Sequence, residues 1–122
     1  MSVVLQKKRR FRIDPSNPYR TRYMVYQLLE TEKGKYCIGV EQYDFVLRSQ
    51  VAEKKDVTPA IENERSARQL IEYMLERARN LADAMEIFAQ WRKGNIVLIS
   101  ENKNILVKEA IRKRFVRNLR KL

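Results

Sequence analysis

At 122 residues the chain has the length of one ordinary domain, and a hydrophobic content of 44% is enough to bury a core without covalent staples. It has no histidine and one cysteine, Cys37, which excludes an internal disulfide, a Cys/His zinc site and a histidine general base. The net charge is +11, from 26 Lys and Arg against 15 Asp and Glu, and no apolar run approaches the ~20 residues of a membrane span.

Residues 1–6 read as a short strand through the apolar run Val3, Val4 and Leu5. Arg10-Phe11-Arg12-Ile13 alternates basic and apolar side chains, as a strand with a charged outer face does. Asp14-Pro15-Ser16-Asn17-Pro18 interrupts the chain, because each proline fixes its own φ and turns the preceding residue away from helix. Residues 1–18 are therefore expected to behave as a basic, flexible arm. Residues 23–30 and 35–43 form the two strands of a hairpin. A three-residue loop, Glu32-Lys33-Gly34 with Gly34 left-handed, pairs Leu28 with Ile38 and Tyr26 with Val40. One face then holds Met24, Tyr26, Leu28, Tyr36, Ile38 and Val40, and a one-residue slip would mix the two faces. Phe45, Val46 and Leu47 suggest a third strand, and residues 48–57 are polar enough for an edge strand or a loop.

Helix spacing runs through Ala67, Leu70, Ile71, Met74, Leu75, Ala78, Leu81, Ala82 and Met85, so residues 62–93 are helical. Asn63 can cap the start, and a single helix of this length would be long for a small domain, which predicts a break near Asn80. Trp91 is expected in the core. Gly94-Asn95 stops the helix and residues 96–99 make a short strand. Residues 105–122 read as a final amphipathic helix with an apolar stripe of Val107, Ala110, Ile111, Phe115, Leu119 and Leu122. The fold class is α+β: one domain, 1–122, with a small antiparallel sheet built on a β-hairpin, packed by two or three helices, and a basic C-terminal helix.

The charge is concentrated at the two ends. Residues 1–22 carry +6, residues 103–122 carry +7, and the stretch between them carries −2. Clustered charge repels itself unless a partner offsets it, and nucleic acid is the commonest partner, since each neutralised phosphate releases a counterion. The residues placed on this task are Lys7, Lys8, Arg9, Arg10 and Arg12 in the arm. In the terminal helix they are Lys108, Arg112, Lys113, Arg114, Arg117, Arg120 and Lys121. Phe11, Tyr19 and Tyr23 could add base stacking on a single strand. Solubilising tails are the bland reading of both ends.

Catalytic readings fail on inventory. Gly34, Gly39 and Gly94 form no phosphate loop, and Cys37 lacks a histidine to activate it and reads as a half-buried thiol. Glu62 with Glu64, or Glu41 with Asp44, could meet a divalent cation, which leaves a Mg²⁺-dependent nuclease as a third class. No enzyme activity and no cofactor are expected. The preferred function is a small basic nucleic-acid-binding protein, DNA or RNA, acting in the cytoplasm. The alternative is a module docking on an acidic protein partner or a nucleoprotein complex. The basic helix is not read as a membrane ligand, since nearly all residues between its apolar positions are Lys or Arg. A homodimer is left open.

The stretch from Arg22 to Leu29 (RYMVYQLL), then Tyr36 to Glu41 (YCIGVE), followed by a helical pair from Ser66 to Trp91, resembles a family of small uncharacterised proteins of clostridia and their relatives. The likeness covers residues 22–92. Cys37 stands where that family has Gly, Leu81-Ala82-Asp83 replaces a Ser-Pro between the helices, and the basic C-terminal segment is additional. The resemblance implies a hairpin followed by helices and carries no assigned function.

Overall fold

The computed structural model describes residues 1–101 and 104–107. Four strands, β1 (Ser2–Asp14), β2 (Asn17–Glu30), β3 (Tyr36–Val46) and β4 (Ser49–Val57), form an antiparallel meander in sequence order. Two helices follow, α1 (Glu64–Arg77) and α2 (Leu81–Arg92), then a two-stranded hairpin of β5 (Leu98–Glu101) and β6 (Asn104–Val107).

The β2–β3 pairing has the register that the sequence pattern demands, with Tyr26 opposite Val40 and Leu28 opposite Ile38. Gly34 turns the chain at φ +77°, donating its N–H to the Thr31 carbonyl at 3.0 Å. Met24, Tyr26, Leu28, Ile38 and Val40 are all fully buried on one face. They meet Ala67, Leu70, Ile71 and Met74 from the i, i+3, i+4, i+7 stripe of α1, with Ala84 and Phe88 of α2 beside them. Trp91 lies at the rim of this core, its ring 5.9 Å from Phe88.

The N-terminal segment differs from the expected arm. Residues 2–14 are one continuous strand, because β2 runs long enough to pair nearly all of it. The basic run Lys7-Lys8-Arg9-Arg10 keeps its backbone hydrogen bonds, and alternation sends successive side chains to opposite faces. The apolar run at 3–5 contains a register shift, so Val4 is the additional residue that sets the phase of everything downstream. Pro15 and Ser16 make a two-residue hairpin turn, in which Asp14 Oδ1 accepts from the Ser16 N–H at 3.0 Å and the Ser16 hydroxyl at 2.8 Å. Phe45 and Val46 extend β3 instead of starting a third strand. Leu47, at φ 58°, belongs to the two-residue turn that leads into β4, which is an edge strand. Ile105, Leu106 and Val107 are part of strand β6 and not the start of a helix; the remainder of the expected basic helix, residues 108–122, lies outside the described residues.

The helix break falls at Asn80. Asn63 caps α1 by accepting from the Ser66 N–H at 3.1 Å, and Asn80 caps α2 by accepting from the Asp83 N–H at 2.7 Å. A polar cluster anchors this junction to the sheet. Arg22 and Asp44 stand directly opposite on β2 and β3 and form a two-pronged ion pair at 2.6 and 2.9 Å. Arg22 donates a third bond to the Arg79 carbonyl at 2.8 Å. Gln42, only 3% exposed, donates to Asp44 at 3.2 Å and accepts from the Leu81 N–H at 2.8 Å. The guanidinium holds the Asp44 carboxyl below its ordinary value of 3.8. The Tyr26 hydroxyl donates to the Met74 carbonyl at 3.3 Å, a second bond to an oxygen that already accepts the Ala78 N–H, and burial raises its pKa above the usual phenol value.

Asp44→Asn removes the charge that Arg22 faces and costs about 2 kcal/mol near neutral pH. A carboxyl depressed in the folded state stabilises above its unfolded value and loses that contribution as pH falls through its lower folded value. The gap between wild type and Asp44→Asn in urea unfolding therefore shrinks as pH drops below about 4 and is constant above about 5.

Candidate nucleic-acid interface

Alternation divides the basic residues of β1 into two sets. Lys7 and Arg9 lie opposite Tyr26 and Met24, on the helix-covered face. Lys7 pairs with Glu72 of α1. Arg9 donates to the Leu75 and Glu76 carbonyls at 3.1 and 2.9 Å, at the negative end of the α1 dipole. Phe11 is on this side too, with the guanidinium groups of Arg9 and Arg79 at 4.9 and 4.8 Å from its ring centre. These three side chains hold β1 against the helices.

Lys8, Arg10 and Arg12 lie opposite Val25, Tyr23 and Thr21, on the face that no helix covers. There Tyr23 pairs across with Tyr43, and Phe45 meets Tyr23 edge-on at 5.6 Å and 65°. With Val25 these rings line a concavity of about 510 Å³, together with Lys8, Arg10 and Arg48. The Arg10 guanidinium is 5.8 Å from the Tyr23 ring centre. Tyr19, 60% exposed, continues the same alternation toward the β3–β4 turn and accepts the Leu47 N–H at its carbonyl. Each of Tyr23, Tyr43 and Phe45 is half-buried, so the sheet fixes the ring while part of it stays accessible.

Charge on this face is asymmetric. Toward β4, Glu41 accepts from the Tyr43 hydroxyl at 2.6 Å, and Glu53 pairs with Lys55 at 3.1 Å. The Glu41 hydrogen bond raises the Tyr43 pKa, and the Lys55 ammonium lowers that of Glu53 while its own rises. That side is neutralised internally. Toward β1, Lys8, Arg10 and Arg12 form no salt bridge among the described residues, and neither does Arg48. The exposed face is thus an aromatic surface with three uncompensated cations along its β1 border and a fourth, Arg48, at the β3–β4 turn.

Of the residues marked from sequence, Lys8, Arg10, Arg12, Tyr19 and Tyr23 come together here. Lys7, Arg9 and Phe11 turn to the other side. Lys108, Arg112, Lys113, Arg114, Arg117, Arg120 and Lys121 lie outside the described residues. Tyr43, Phe45 and Arg48 escaped the sequence reading. The signal was present in the alternation Cys37, Gly39, Glu41, Tyr43, Phe45, which continues the outward set past the expected strand end. Cys37 itself is buried, and burial raises its pKa, as fits an inert thiol.

No family model, no curated protein and no solved structure matches the chain. Among the described residues no helix is long and apolar enough to cross a membrane.

The division of the β1 cations makes opposite predictions for neighbouring residues. Arg9→Gln strips two charged hydrogen bonds from the end of α1 and costs about 1–2 kcal/mol in urea unfolding. Arg10→Gln, one residue on, changes stability by less than about 0.5 kcal/mol. Equal losses in the two variants would contradict the facing assigned to β1.

Proposed function

We propose that the protein binds nucleic acid through the uncovered face of its sheet. The observation that carries this reading is the aromatic surface of Tyr23, Tyr43 and Phe45 beside Lys8, Arg10 and Arg12, cations that no carboxylate compensates among the described residues. Cations in a row on a rigid strand are an economical phosphate contact, because the sheet has already fixed their backbone. The basic residues of the C-terminal segment, Lys108 through Lys121, add further attraction to the same polyanion in this proposal. Sequence specificity is limited, since the face offers charge and ring surface in preference to an array of matched donors and acceptors.

Fluorescence anisotropy with labelled DNA and RNA oligonucleotides across a salt series tests the proposal. The Lys8→Gln, Arg10→Gln, Arg12→Gln triple variant binds more weakly, and its log–log salt slope is shallower by about 2, as expected when up to three phosphate contacts are lost. A parallel variant, Arg112, Lys113, Arg114 and Arg117 each to Gln, measures the share of the C-terminal segment. No binding by the wild type at low salt would overturn the proposal and leave an acidic protein as the partner to seek.

A further inference from the structure

Building on that nucleic-acid reading, we infer that the ligand is a single strand, lying with its backbone along β1 and its bases turned inward onto Tyr23, Phe45 and Tyr43. Three observations point this way. First, the rings of Tyr23, Tyr43 and Phe45 line the same concavity as the cations Lys8, Arg10 and Arg48. In a duplex the base faces are stacked on one another and cannot reach such rings, whereas an unstacked strand presents them. Second, Lys8, Arg10 and Arg12 follow one another at every second residue of a strand, a spacing of about 7 Å. That repeat suits the phosphates of an extended strand, one cation to each. Third, the border toward β4 carries Glu41 and Glu53, with Lys55 already engaged by Glu53. Those carboxylates already have partners within the sheet, so a phosphate backbone gains most along β1, where three uncompensated cations stand in a row, with Arg48 alone across the concavity.

The rings also set how the bases bind. Tyr23 and Phe45 meet at 65°, so they make two separate contacts and not one flat shelf. Tyr43 has its hydroxyl committed to Glu41 and the Lys55 ammonium 5.9 Å from its ring centre, which together fix the ring. Stacking of this kind accepts any base, since every base has a π face. DNA and RNA share the recognised chemistry, bases on a single flexible polyanion.

The test uses the full chain and four labelled probes of equal length: oligothymidylate, oligouridylate, an abasic deoxyribose-phosphate oligomer, and a DNA duplex. At fixed moderate salt at least one of the two base-bearing single strands binds about ten-fold or more tighter than the abasic oligomer and tighter than the duplex. Which of the two binds better identifies the sugar. In the Tyr23→Leu, Phe45→Leu variant, which keeps apolar bulk in the concavity, that advantage falls at least several-fold while abasic binding is unchanged. Equal binding of base-bearing and abasic single strands overturns stacking but leaves the phosphate-contact proposal standing. Preference for the duplex overturns the single-strand inference in the same selective way. Failure of every probe to bind overturns both. If the double variant does not fold, the comparison of oligothymidylate and oligouridylate with the abasic oligomer on wild type still decides the matter.

Discussion

Everything in this domain depends on the β2–β3 pairing and the register that it holds. Tyr26 opposite Val40 and Leu28 opposite Ile38 put the apolar side chains of both strands on one side. The two helices have only that side to cover, because they arrive consecutively after β4 and fold back across it. The opposite side then inherits whatever residues remain: Tyr23, Val25, Tyr43, Phe45 and their charged neighbours. A slip of one residue would place Met24 and Tyr26 in water and Tyr23 and Val25 under the helices. Core and uncovered face are two readings of the same alternation and cannot be altered independently.

The same rule acts on β1, where charge and not hydrophobicity is sorted. Lys7 and Arg9 are consumed by α1, one on the Glu72 carboxylate and the other on helix-end carbonyls. Lys8 and Arg10 go to the other side and keep their charge available. A basic run that looks uniform in the sequence therefore contains two kinds of residue. Counting positive charges overstates what the uncovered face carries; asking which face each one takes assigns it. The Arg22–Asp44–Gln42 cluster plays the corresponding part on β2 and β3, where charged side chains on the covered face serve the helix junction.

How much of this was legible depended on whether the information was local. The hairpin register was legible because Gly34 and two matched apolar rows leave one arrangement. The cap at Asn63 was legible because it rests on one side chain meeting an N–H three residues on, and the break near Asn80 because one helix over the whole stripe would be too long; that Asn80 itself caps α2 was not read. The joining of 1–6 and 10–13 into one strand was not, since it depends on the length of β2, a partner beyond the turn. Phe45 belongs to β3 and not to a further strand because the turn comes after it, where Leu47 adopts a positive φ that leucine rarely takes and nothing in the local composition announces a turn. The site was half visible: Lys8, Arg10, Arg12 and Tyr23 by type, but Tyr43, Phe45 and Arg48 only once three strands are laid side by side.

The order in which the parts become available has its own consequence. The four strands pair with sequence neighbours, so the meander closes only short loops and can form early as the chain is synthesised. Its cover comes later, from residues 64–92. The cation that finishes α1, Arg9, is made first and waits for acceptors 66 and 67 residues downstream. Until then the nascent sheet shows water an oily face on one side and a cationic face on the other. An uncovered apolar sheet of this kind is a target for chaperones or for another copy of itself. A nascent chain ended after β4 would thus have all four strands of the meander and still lack the cover that α1 and α2 lay over its apolar face.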